Sequence, residues 1–155
     1  MDTKNLDSLC IGELASVLYR QYQAFINREM KEYGVNSSEF LYLIRIPDSG
    51  TVNQTYLAET VFCDNAIVSR SIQSLADKKL VARERSGEDK RAVMVSLTPA
   101  GRKAKQAGLE KRDLWKKTVM YDLSEKNSVT LIRTLKKMAS RALSAAEDGN
   151  TKAEE

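Results

Sequence analysis

Asn65, Ala66, Ser69, Arg70, Gln73 and Ser74 lie within one ten-residue stretch. If that stretch is helical at about 100° per residue, Ala66, Arg70, Gln73 and Ser74 share the side opposite Val68, Ile72 and Leu75, with Asn65 and Ser69 near the first turn. Small and hydrogen-bonding side chains make a poor core face. They suit the major groove of duplex DNA, where Arg can bond guanine bidentately and Asn or Gln can bond adenine. An ordinary solvated helix face is the other reading of the same residues.

A second concentration of charge follows in "RERSGEDKRAVMVSLTPAGRK", residues 83–103. Two strand-like runs there are joined by Gly87-Glu88-Asp89-Lys90-Arg91 and followed at once by a helix start. Between residues 65 and 105 there are ten basic side chains against four acidic ones, a net of +6 in a chain whose total is +4. Such a local excess is the electrostatic footprint expected where a protein meets phosphates. Taken alone, it is also what a solvated surface with scattered lysines looks like.

Other chemistries find little support. The chain has no histidine, which removes the commonest general base and any Ser-His or Cys-His nucleophile. Two cysteines, Cys10 and Cys63, in no CxxC spacing cannot make a zinc site of the usual kind. No paired-carboxylate or Gly-rich phosphate motif is present. The expectation is a non-enzyme without metal or cofactor. With 155 residues, 42% hydrophobic and 30% charged, the chain reads as one soluble domain with an arm. Its first residues lack a cationic start and apolar run, and no window approaches a membrane span, so a cytoplasmic protein without a membrane partner is expected.

The elements that must position these residues follow from periodicity and punctuation. Leu14, Leu18, Tyr22, Phe25, Glu29 or Met30, and Tyr33 form a helical stripe ending at Gly34. Asn36 or Ser37 can cap a short helix bearing Phe40, Leu41, Leu43 and Ile44, which Pro47 stops. Asn53 caps a two-turn helix burying Leu57, Ala58 and Val61, and Asp64 caps the next, running to about Lys79. Two short helices joined so closely form a helix-turn-helix. The period then changes to 2: Val81, Arg83 and Arg85 alternate with their neighbours, as do Val93, Val95 and Leu97, which gives a two-stranded hairpin. Thr98-Pro99 starts a long helix to about Met120, and Ser124 caps another with Val129, Ile132, Leu135, Met138 and Ala142 on one stripe. The polar end is expected to fray.

This order, with Leu57-Ala58, Ser69-Arg70, Asp89 to Arg91 and Leu97-Thr98-Pro99-Ala100-Gly101, resembles the MarR family of bacterial transcription regulators over residues 14–143. The resemblance implies a mainly α fold with a small β-hairpin wing: an N-terminal dimerisation helix (1–35), a winged helix-turn-helix lobe (36–98), C-terminal dimerisation helices (99–147) and a flexible tail (148–155). It implies a homodimer binding a pseudo-palindromic double-stranded operator, as a repressor released by a small aromatic or phenolic effector. Arg91 then resembles the wing arginine that enters the minor groove, with Lys90 beside it and Asp89 holding its rotamer; a weak surface ion pair is the alternative. Arg83 and Arg85 are read equally as phosphate contacts or as contacts within the protein. Tyr22, Phe25, Tyr42, Trp115 and Met120 are the residues read as lining an effector cleft, or simply as core.

Two positions depart from the family pattern. Lys79 stands where a glycine is common before Leu80, which implies a strained helix end, and Asn65 and Ala66 stand where basic or hydroxyl residues are common. One branch of the family senses peroxides through a first-helix cysteine, but "ASVLY" aligns that position with Ala15, leaving Cys10 a weak candidate and Cys63 a small buried residue. A thiol-sensing regulator and a winged-helix protein–protein interaction module are the alternatives carried forward.

Overall fold

Three side chains start the three central helices. Asn36 Oδ1 accepts from the Glu39 N–H at 2.9 Å, Asn53 Oδ1 from Thr55 at 2.8 Å and Asp64 Oδ1 from Ala66 at 2.6 Å. Each satisfies a backbone donor that a helix N-terminus leaves without a partner. In the computed structural model, which describes residues 3–87 and 92–151, these caps begin α2 (Ser37–Leu43), α3 (Gln54–Val61) and α4 (Asn65–Asp77). A 3-10 turn (Thr3–Ser8) and α1 (Ile11–Glu29) precede them. β1 (Val52–Asn53), β2 (Val81–Arg85) and β3 (Val93–Leu97) form the sheet, and α5 (Pro99–Val119) and α6 (Glu125–Thr151) complete the chain.

The sheet has three antiparallel strands in the order β1-β3-β2, where the sequence predicts a two-stranded hairpin. Val52 pairs with Val95 on the outer side of β3, while Val81 pairs with Leu97 and Arg83 with Val95 on the other. A hairpin alone is marginal in water; the added two-residue strand satisfies the second edge of β3. Val95 and Leu97 are buried and join a core of Ile26, Met30, Phe40, Leu43, Leu57, Val68, Ile72 and Leu75. Val68, Ile72 and Leu75 are the inward face of α4 read from the sequence, each fully buried and each contributing about 1.5–3 kcal/mol relative to exposure. The stripe on α1 differs from expectation. The fully buried residues at its end are Ile26 and Met30, while Leu18 remains 56% exposed.

The packing divides the chain into two units, Met1–Trp115 and Lys116–Glu155. In the second unit, the expected stripe of Val129, Ile132, Leu135 and Met138 is exposed. α6 continues to Thr151, past the start of the expected flexible tail. Among the described residues no helix is long and apolar enough to cross a membrane.

Lys79 has φ +59°, the left-handed region that the departure from glycine predicts would be strained. Its N–H and that of Leu80 close the end of α4 on the Ala76 and Leu75 carbonyls. A side chain in that region costs about 1 kcal/mol. Lys79→Gly is therefore expected to raise the denaturation midpoint by the equivalent of about 0.5–1 kcal/mol, read from a urea titration. An unchanged or lower midpoint would remove the strain argument.

Candidate nucleic-acid interface

α4 presents Asn65, Ala66, Arg70 and Gln73 to solvent, with Ser69 half-buried. Val68, Ile72 and Leu75, all at 0% exposure, mark the broad face of α4 that turns inward. Toward its N-terminus α4 thus exposes Asn65, Ala66, Ile67 and Arg70, with Ser69 half-buried among them.

The C-terminal half is engaged inside the protein. Gln73 Nε2 donates to Asp77 Oδ1 at 2.7 Å, and its Oε1 accepts from Arg83 Nη1. Arg83 Nη2 donates onward to Gln54 Oε1 at 3.3 Å, so β2, α4 and α3 meet in one polar chain. The Arg83 Nε–H is buried with no partner among the described residues. Of the two readings of Arg83, contact within the protein is the one the structure shows. Ser74, read as groove-facing, is half-buried and its hydroxyl donates to Glu39 Oε1 at 2.6 Å. That is a correction: the hydroxyl is committed to α2.

Glu39 is only 2% exposed. Burial works to raise its carboxyl pKa, but hydrogen bonds from Lys78, Ser74 and the Asn36 N–H outweigh burial and hold it below the ordinary carboxylate range. Lys78 Nζ lies 2.6 and 2.7 Å from the two carboxylate oxygens and also donates to the Gly34 carbonyl at 2.6 Å. Sequence reading missed this group. The Asn36…Glu39 capping-box spacing was visible, whereas its partners on α4 are 35 and 39 residues away.

The basic band is thus partly spent. Lys78 and Arg83 hold α4, Arg102 donates to the Leu97 carbonyl at 2.9 Å, and Lys105 bonds the Ile46 carbonyl and Asp48, both at 2.8 Å. Arg70, Lys79, Arg85 and Lys103 are exposed. Asp89, Lys90 and Arg91 lie outside the described residues, so the wing strands are described and the expected minor-groove contact is not.

The residues read as an effector cleft separate. Tyr22 and Phe25 stack at tilted angles on Trp115, with centroids 5.8 and 5.2 Å apart. Tyr42 is 1% exposed, a core residue rather than cleft lining; burial and then the neighbouring Cys63 thiol push its phenol up to about 12. Met120 belongs to the second unit. Cys63 is half-buried and Cys10 exposed.

Residues 24–108 match the model of the family described as "Transcriptional regulator SarA/Rot". An uncharacterised HTH-type regulator of Bacillus subtilis, YdgJ, is 28% identical over 105 residues, covering 68% of this chain and 64% of its own. The chain spans between 49% and 64% of the length of the curated relatives it matches first. A MarR regulator from Methanosarcina mazei superposes with a TM-score of 0.79 at 27% identity, over 87% of this chain and 97% of that one. The S. aureus MepR–DNA complex gives a TM-score of 0.77 at 22% identity, over 86% and 99%. Helices, three-stranded sheet and element order are those of the MarR winged-helix fold.

Proposed function

We infer, because this chain belongs to the SarA/Rot family of transcriptional regulators and has the MarR winged-helix fold, that it binds duplex DNA in a sequence-specific way. The observation that carries the reading is the outward half-face of α4, with Asn65, Ala66 and Arg70 exposed and Ser69 half-buried, in a lobe that also exposes Lys79 and Arg85. Arg70 is the residue assigned to a base edge, with Asn65 and Ser69 beside it on bases or phosphates. Gln73 has one amide hydrogen left for a base after bonding Asp77. Arg91, positioned by Asp89 and flanked by Lys90, takes the minor groove. MepR, a structure of the same fold, is described in complex with DNA.

A homodimer is the second part of the reading. Ile11, Leu18 and Leu114 in one unit, and Val129, Ile132, Leu135 and Met138 in the other, are all large apolar side chains about 40–60% exposed. On α6 the exposed residues recur at helical spacing, and apolar surface of this kind marks an interface. Two-fold symmetry would set the recognition helices about 34–36 Å apart on a pseudo-palindromic operator. The regulator then acts as a repressor, with a small aromatic or phenolic effector favouring the state that binds DNA less well. Tyr22, Phe25 and Trp115 are the rings on which such an effector would act.

Binding of duplex DNA across a salt series tests the reading. The affinity is expected to fall steeply, with a log–log slope of roughly −0.9 for every phosphate neutralised. A flat salt response, or no binding at low salt to any duplex from the neighbourhood of its gene, would leave the interaction-module alternative standing.

A further inference from the structure

Among the described residues Glu39 is the one buried charged side chain, and every group it bonds is accounted for: the Asn36 N–H, the Ser74 hydroxyl and the Lys78 ammonium. Ser74 is in the last turn of α4 and Lys78, one turn on, is its C-cap, so the carboxylate grips a single edge at the end of that helix. The adjoining edge is held by Arg83 through Gln73. Lys78 places its remaining bond on Gly34, the residue that ends the turn following α1.

A buried ion pair is weak as a source of stability, because desolvation offsets most of its attraction. What it has that apolar packing lacks is direction. A rotation of α4 by a few tens of degrees would leave Val68, Ile72 and Leu75 in apolar surroundings, since hydrophobic burial is non-directional. The same rotation would break the bonds to Ser74 and Lys78, whose donors must stay near 2.6 Å from one carboxylate. It would also carry Arg70 sideways across the outward face.

We propose that Glu39 is a positioning residue for DNA recognition: by holding Ser74 and Lys78 it sets the rotation of α4, and so where Asn65, Ser69 and Arg70 point. This rests on the DNA-binding reading above. Glu39 touches no DNA itself. Its removal should cost discrimination between sequences rather than general affinity, because general affinity comes from the exposed cations.

The test uses the full-length protein, as wild type, Glu39→Gln, Lys78→Met and the double variant. The probes are the duplex best selected from a random pool and an unrelated duplex of equal length. Glu39→Gln conserves volume and one acceptor oxygen, so it is the variant expected to remain folded. It should lower the ratio of the two affinities roughly tenfold, the scale of one lost base contact. Binding to the unrelated duplex should stay within about twofold, being set by phosphate charge. Amide hydrogen exchange should quicken over residues 74–80 and remain unchanged in α3. The double variant should discriminate no worse than Lys78→Met alone, since both changes remove the same bond. An unchanged affinity ratio in Glu39→Gln, with or without a lower melting midpoint, would overturn the proposal, as would exchange quickened evenly through the lobe. A wild-type protein with no preferred duplex would instead sink the DNA-binding reading, and the exchange pattern alone would then decide whether Glu39 orients α4.

Discussion

Gly101→Ala is expected to destabilise the protein more than any other single methyl group added to it. A Cβ at this position would sit 1.8 Å from the Leu80 carbonyl oxygen and 2.9 Å from its carbon, both backbone atoms. That carbonyl is already fixed by the Thr98 N–H at 3.1 Å, while Thr98 Oγ1 caps α5 by accepting from the Gly101 N–H at 3.0 Å. The start of α5, the end of α4 and the first rung of the sheet therefore meet at one point. Alanine is the better helix former by about 1 kcal/mol. Overpacking against backbone costs about 1–3 kcal/mol or more, and here it wins because neither side can give way. The net loss of about 2 kcal/mol corresponds to a melting midpoint lower by roughly 4–8 °C for a chain of this size. Gly108→Ala is the control: its Cβ would meet the Phe40 ring at 2.2 Å, and a ring can turn where a carbonyl in a strand ladder cannot. A smaller loss is expected there. If Gly108→Ala proves the more damaging, the junction at Leu80 is not the tight point of the fold.

Arg70→Ala and Arg91→Ala are expected to weaken DNA binding in distinguishable ways. Arg70 stands exposed on the side of α4 opposite the fully buried Val68 and Ile72. Its loss should remove about 1–3 kcal/mol of discrimination at the base pair it reads, roughly 5- to 150-fold among operator variants. Arg91, on the reading that the resemblance implies, reads groove width and potential, so its loss should weaken binding without changing the ranking of variants at the base pairs α4 reads, while the dimer persists. Competition between operator variants, with sedimentation to follow the dimer, separates the two. An unchanged ranking in Arg70→Ala would argue against direct readout by that side chain. Loss of the dimer in Arg91→Ala would contradict its assignment to the wing.

Much of the scaffold was legible because it is written in local chemistry. Asn53, Asp64 and Thr98 each cap the helix that follows, and each bond spans only two or three residues. The inward face of α4 was legible for a similar reason, since three apolar residues at helical spacing specify one side. β1 was not: two residues are too few to show a period, and its pairing with Val95 depends on a strand more than forty positions later. Ser74 lies roughly 50° from the outward centre of the helix wheel, where spacing cannot distinguish a groove contact from a flank contact. Its partner on α2 decided the matter. Tyr42 could be read as cleft lining or as core, because an aromatic residue on a helical stripe has the same pattern in both, and its 1% exposure shows it buried. Arg83 could be read equally as a phosphate contact or as a brace, and only Gln73 and Gln54 on neighbouring elements distinguish them.

Selection of bound duplexes from a random pool tests the central claim most directly, because class, symmetry and spacing are read from one result. The account predicts recovery of a pseudo-palindrome whose half-sites are centred about one helical turn apart, roughly 10 base pairs. Recovery of no enriched sequence at low salt would contradict it.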